Sequence, residues 1–232
     1  MSASISVYCD FDGTVTQADV TDLLLIELAD PSWRRVEAKW ERGMIGSREC
    51  LARQIPLIRG GWPAIIRQLR DVRLEPTFRS FAAWCRASGI RIQIVSDGLD
   101  RVIQTLLDRE GVVVDGVWAN HLEESPAGQL GIGFPYPPTR VRCRAGLCKC
   151  QLIERGSART LSVVIGDGRS DFCWAAQADW LFAKSNLLAH CREQGIPCTP
   201  FHDFDAIREA LNCVCRDRGA PVVRTPAAAT HA

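Results

Sequence analysis

Three short apolar runs, Ile5 to Cys9, Ile90 to Val95 and Leu161 to Ile165, each stop abruptly at a small polar cluster that contains an acid and a glycine. The clusters are Asp10-Phe11-Asp12-Gly13, Ser96-Asp97-Gly98 and Gly166-Asp167-Gly168. Apolar runs this short, bounded by glycine, read as buried strands rather than helices. Trp180 to Ala183 is a fourth. Between them lie stretches with apolar residues at three- and four-residue spacing: Thr77 to Ser88, Asp100 to Arg109 and Lys149 to Arg155. Strand–helix alternation predicts an α/β fold with a doubly wound parallel sheet. Ligands of such sheets bind beyond the carboxyl ends of the strands, so the three clusters are expected to converge on one crevice.

Two stretches interrupt the alternation. Between Asp19 and Pro76 there are four helical patterns and no strand: Val20 to Leu28, Trp33 to Glu41, Ser47 to Leu57 and Trp62 to Leu69, with turns at Gly43 and Gly60-Gly61. The division this implies is a catalytic core over 1–18 and 77–216, a small helical cap over 19–76, and a disordered tail over 217–232. Val114 to Asn120 and Gln129 to Phe134 read as short extended pieces around a turn at Pro126-Ala127-Gly128.

Composition narrows the partners. The chain has 232 residues, of which 47% are apolar and 24% charged, enough for a globular core without covalent staples. A formal net charge of +1 provides no basic field for nucleic acid or an anionic membrane. No uninterrupted apolar run approaches the ~20 residues of a membrane span. Met1-Ser2-Ala3-Ser4 lacks the basic start of a signal peptide. A cytoplasmic monomer or homodimer is expected. The 11 cysteines are then expected as reduced thiols. The densest group, Cys143, Cys148 and Cys150, has a C-x4-C-x-C spacing that matches no common structural zinc pattern. A metal or redox role for it stays open.

The polar clusters carry the chemistry. At a strand end, Asp10 and Asp12 point the same way because side chains repeat every two residues. Two like charges on one face call for a cation beside them. One carboxylate can attack phosphorus while the other handles the proton. Ser96-Asp97-Gly98 offers a hydroxyl and backbone amides beside a glycine, a compact seat for phosphate. Lys149, at the start of a helix, can neutralise phosphate oxygens. Gly166-Asp167-Gly168-Arg169-Ser170-Asp171 places two acids four apart after a strand, which suits an oxygen-ligand magnesium site. Asp167 would be the direct ligand, and Asp171 would act through water or orient Lys149. Singly, each motif also fits a plain turn, an N-cap or a solvated side chain. All four in this order, each at a strand end or a following helix start, do not.

The residues at this point resemble the haloacid dehalogenase superfamily of phosphatases. D-F-D-G-T at 10–14, S-D-G at 96–98, Lys149 and G-D-G-R-S-D at 166–171 carry the likeness. The resemblance implies a Rossmann-like core, magnesium, and hydrolysis of a small phosphate ester through a phospho-aspartate. Asp10 would be nucleophile and metal ligand, and Asp12 general acid/base, ligating through its carbonyl. Ser96, Asp97, Gly98 and Lys149 would bind phosphate, with Asp167 and Asp171 completing the metal site. The helical insertion, together with Trp118-Ala119-Asn120-His121-Leu122, looks like the phosphoserine phosphatase subgroup. Asp19-Val20-Thr21-Asp22, Asp30-Pro31-Ser32-Trp33 and the run from Gly46 to Gln54 look more like a methionine-salvage group acting on 2-hydroxy-3-keto-5-methylthiopentenyl-1-phosphate.

One departure bears on substrate. Phosphoserine phosphatases carry a carboxylate-binding arginine where Gln54 stands here, and glutamine cannot make a bidentate ion pair. Asp19 and Gln54 are accordingly expected to read the organic part of an uncarboxylated ester. A phosphoserine phosphatase, a phosphotransferase or phosphomutase using the same Asp10, and a non-catalytic binding module are the competing readings.

Overall fold

The computed structural model describes residues 4–138, 143–153 and 160–216. Its centre is β1 (Ser4–Cys9), which pairs in parallel with β2 (Arg91–Leu99) on one side and β5 (Thr160–Gly166) on the other. Ile5, Val7 and Cys9 enter one core cluster and Tyr8 the opposite one, the two-residue alternation of a strand buried on both faces.

After β1 the chain forms α1 (Val20–Leu28), α2 (Trp33–Glu41), α3 (Ser47–Gln54), a 3-10 turn over Ile55–Leu57, α4 (Gly61–Leu69) and α5 (Phe78–Ala87) before entering β2. It continues through α6 (Asp100–Arg109), β3 (Gly116–Glu124), β4 (Leu130–Gly133) and α7 (Lys149–Leu152) to β5. A 3-10 turn over Arg169–Asp171 leads into α8 (Phe172–Ala175), followed by β6 (Trp180–Ala183), α9 (Ser185–Gln194), β7 (Thr199–Pro200) and α10 (Phe204–Arg216). The seven strands lie in the order β4-β3-β2-β1-β5-β6-β7, all parallel except β4, which runs antiparallel to β3. The chain works outward from β1 through β2 and β3, then returns to the other side of β1. The switch point therefore lies where the carboxyl ends of β2, β1 and β5 adjoin.

The structure departs from the sequence reading in several places, three of which bear on the site. The helical pattern from Ser47 breaks at Gln54 into the 3-10 turn, because Pro56 lacks the amide an α-helix needs. β2 does not stop at Val95 but runs on to Leu99, with a register shift against β3 between those residues. Such an irregularity re-aims side chains locally, here those of Ser96-Asp97-Gly98. The helix expected to Arg155 ends at Leu152, and Arg155 lies outside the described residues, as does the tail 217–232.

The inserted helices share the core of the sheet. Leu24, Leu25, Ile55, Ile65 and Leu69 belong to the same buried cluster as Phe11, Val15 and Ile94. Among the described residues, no helix is long and apolar enough to cross a membrane.

Candidate active site

Asp10 extends the pairing of β1 by one residue, its amide donating to the Ile165 carbonyl at 2.9 Å. This fixes its carboxylate at the carboxyl edge between β1 and β5, 4% exposed. The next side chain, Phe11, turns into the core. Lys149 reaches the same point from the first position of α7. Its Nζ donates to Asp10 Oδ1 at 2.5 Å and to Asp171 Oδ1 at 2.7 Å, and lies 4.9 Å from the centre of the Trp174 ring. The lysine is 1% exposed and Asp171 is fully buried. Asp171 Oδ2 accepts from the amides of Asp167 and Gly168, both at 3.1 Å. A side chain on Gly166 would collide with the Asp171 carboxylate, which is why glycine ends β5.

The other residues close the ring. Thr14 Oγ1 donates to Asp167 Oδ1 at 3.0 Å, joining the loop after β1 to the loop after β5. Gly13 turns with φ +70°, and a Cβ there would lie 2.6 Å from Asp167 Oδ2. Asp12 Oδ1 accepts from the Val20 amide at 2.9 Å, at the mouth of α1. Ser96 Oγ accepts from the Gly98 amide at 2.9 Å. A Cβ on Gly98 would stand 2.6 Å from Asp12 Oδ2 and 3.0 Å from Ser96 Oγ. All four polar clusters thus meet at one place.

Burial dominates the electrostatics. It pushes the Asp10 carboxyl well above its ordinary value, the Asp171 charge adds to this, and the Lys149 ammonium opposes it. Burial alone would pull the Lys149 ammonium down, but the Asp10 and Asp171 carboxylates outweigh it and hold the lysine charged. Asp12 is raised to about 6 by burial, against the Val20 hydrogen bond and the Lys149 charge. Asp167 is raised by burial and then by Asp171. One oxygen from each of Asp10, Asp167 and Asp171 lies within 4.8 Å of the others.

Two expected site residues turn to other partners. The Asp97 carboxylate accepts from Ser47 Oγ at 2.8 Å and the Leu147 amide at 2.9 Å, so it is turned to α3 and the loop before α7. Gln54 is 2% exposed, and its Nε2 donates to Glu37 Oε2 at 2.7 Å, inside the helical insertion. Asp19 is exposed at the head of α1 and caps it, Oδ1 accepting from the Asp22 amide at 2.8 Å. Cys148 and Cys150 are buried with their sulfurs 3.1 Å apart, and Cys143 is half-buried.

Sequence reasoning overlooked Thr14, Ser47, Trp174 and the amides of Val20 and Leu147. Thr14 was within reach, as the hydroxyl ending the first cluster. Trp174 and Ser47 carry no local signal, since only packing brings them to the strand ends.

The haloacid dehalogenase-like hydrolase family matches residues 7–176. A 2-hydroxy-3-keto-5-methylthiopentenyl-1-phosphate phosphatase of Geobacillus kaustophilus is 31% identical over 216 residues, 91% of this chain and 97% of that protein. A protein of the same name from Bacillus cytotoxicus is 29% identical over 215 residues, 90% of this chain and 96% of that one. A substrate-bound phosphoserine phosphatase complex superimposes with a TM-score of 0.67 at 16% identity, over 92% of this chain and 99% of that chain, a likeness of fold alone.

Proposed function

The chain belongs to the haloacid dehalogenase-like hydrolases and is a phosphatase, and from that premise we propose that it hydrolyses 2-hydroxy-3-keto-5-methylthiopentenyl-1-phosphate through a phospho-aspartate on Asp10. One observation carries the mechanism: a buried carboxylate at the carboxyl end of the central strand, touched by a buried ammonium and backed by a second acid, Asp12. The substrate half rests on the names of the relatives.

In the first step an Asp10 oxygen attacks phosphorus and the ester oxygen departs, taking a proton from Asp12. With its carboxyl raised to about 6, Asp12 retains protons closer to neutrality than a free aspartate does. In the second step water attacks the acyl phosphate, Asp12 takes back the proton, and Asp10 is regenerated with release of inorganic phosphate. Lys149 and Ser96–Gly98 at the end of β2 hold the phosphoryl oxygens. Asp19, exposed at the head of α1 just before the Val20 amide that bonds Asp12, is the insertion residue proposed to meet the ester's organic part.

Magnesium fits the donor set. Asp10, Asp167 and Asp171 offer only oxygen, and their crowding is what a hard dication relieves. Asp10, Asp167 and the Asp12 carbonyl would hold it. Both oxygens of Asp171 are already engaged by Lys149 and two amides, which suits a role in orienting the lysine. When bound, the metal supplies positive charge that neutralises the phosphoryl oxygens.

Purified protein is expected to turn over p-nitrophenyl phosphate with magnesium, and Asp10→Asn is expected to retain less than about a hundredth of that rate, since an amide forms no acyl phosphate. Specificity for the methylthiopentenyl ester over phosphoserine is expected to be at least about tenfold, or ~1.4 kcal/mol. Full turnover in excess chelator would overturn the metal, an active Asp10→Asn the nucleophile, and a preference for phosphoserine the substrate.

A further inference from the structure

Among the side-chain contacts between the helical insertion and the catalytic end, one joins three segments at once. Ser47, the first residue of α3, donates to Asp97 Oδ2 at 2.8 Å and accepts from the Gly146 amide at 3.1 Å. Asp97 Oδ1 accepts from the Leu147 amide at 2.9 Å, and the Asp97 carbonyl accepts from Asn120 Nδ2 at 2.6 Å. Asp97 stands between Ser96 and Gly98, and Leu147 is two residues before Lys149. One carboxylate therefore joins the insertion, the end of β2 at Ser96 and the loop that delivers Lys149. A carboxylate beside a phosphate seat repels phosphate, so its presence there calls for a purpose other than binding. Two neighbouring clasps are weaker. Arg144 Nη2 reaches the Met44 carbonyl at 2.7 Å and Arg169 Nη1 the Glu41 carbonyl at 2.8 Å, both from exposed arginines whose bonds water can replace.

We propose that Asp97 is a positioning residue, through which the docking of Ser47 on α3 sets the loop before α7 and hence the approach of Lys149 to Asp10. The inference rests on the phosphatase reading and adds to it how the site is assembled: the insertion's docked position is transmitted to the reaction centre through this pair. When Ser47 leaves, Asp97 loses one donor, Gly146 loses its acceptor, and the segment 146–149 loosens. Lys149 then meets the phosphoryl group less often in the correct place, which lowers kcat more than it weakens binding.

The test compares wild type, Ser47→Ala, Ser47→Thr, Asp97→Asn and the double variant Ser47→Ala/Asp97→Asn on p-nitrophenyl phosphate with magnesium. Ser47→Ala is expected to lower kcat about tenfold, as loss of a hydrogen bond to a charged group does, with KM changed less than about twofold. Ser47→Thr keeps the hydroxyl and retains at least about half of kcat. Asp97→Asn loses one acceptor oxygen and falls at least as far as Ser47→Ala. The double variant is no more than about twofold worse than Asp97→Asn alone, because the bond is already broken. Hydrogen exchange supplies a second readout: in Ser47→Ala the amides of 146–149 exchange faster while those of β5 do not. Full kcat in Ser47→Ala, single effects that multiply, or unchanged exchange at 146–149 would overturn the proposal. An inactive wild type would instead sink the phosphatase reading, leaving the exchange data to decide the junction.

Discussion

At the strand ends, Asp10, Lys149 and Asp171 meet from three distant parts of the chain, and Thr14 meets Asp167 across 153 positions. In α2 and α3, apart from Ser47 at the junction, polar groups also find partners nearby: Gln54 pairs with Glu37, 17 positions away, and Arg53 with Glu49 one turn back. A parallel sheet brings the carboxyl ends of all its strands to one edge, so polar residues placed there must face one another. An amphipathic helix turns its polar stripe outward, where charges pair locally and stay wet. The difference is visible in burial: the Lys149–Asp10 pair is almost wholly excluded from solvent, whereas Arg53 and Glu49 are about half exposed.

The largest test of that contrast is a pair of truncations. Lys149→Met leaves Asp10 and Asp171 facing each other without their cation, and is expected to cost about 3–5 kcal/mol of stability in metal-free protein. Arg53→Ala is expected to cost less than about 1 kcal/mol. Urea unfolding of both variants checks this, and similar losses would erase the distinction. Intermediate in size is Gln54→Ala, which leaves Glu37 without a buried donor and is expected to cost about 1–3 kcal/mol. Its ratio of specificity constants for phosphoserine and an uncarboxylated ester should move less than about threefold. A tenfold change would assign Gln54 to substrate rather than to the insertion's own packing.

The smallest effect lies at the sheet edge. His121 Nδ1 sits 2.7 Å from Asp100 Oδ2, and this hydrogen bond holds the imidazole above its ordinary value, 6.5. A raised folded-state value favours the protonated form in the native protein. The stabilisation is therefore full below about 6.5 and fades as pH rises through the raised value. Proton NMR titration is expected to show His121 above the ordinary histidine value and Asp100→Asn to bring it down. An unshifted wild-type histidine would show that even this half-exposed pair is not formed in solution.

Much of the framework was legible. α1, α2, α6 and β6 occupy the spans their periodicity indicates, and β1 and β5 end within a residue of the acids that terminate their apolar runs. Periodicity and breakers such as glycine act within a few residues, so they survive in the linear chain. The overrun of β2 through Ser96-Asp97-Gly98 was not legible. It depends on pairing with β3, and nothing in the segment itself announces that neighbour.

The sequence by itself determined most strands and helices as far as Ala183, which acids stand at strand ends, and that a lysine and a hydroxyl stand with them. These follow from residue type and spacing alone. Tertiary structure decided which of those groups face each other. It set Lys149 between Asp10 and Asp171, turned the Asp97 carboxylate to Ser47 and Leu147, and gave Gln54 to Glu37. The physical reason is that a side chain's partner depends on how elements far apart in the chain are stacked and rotated against one another. That arrangement is settled by the packing of the whole core, in which no single segment holds the information.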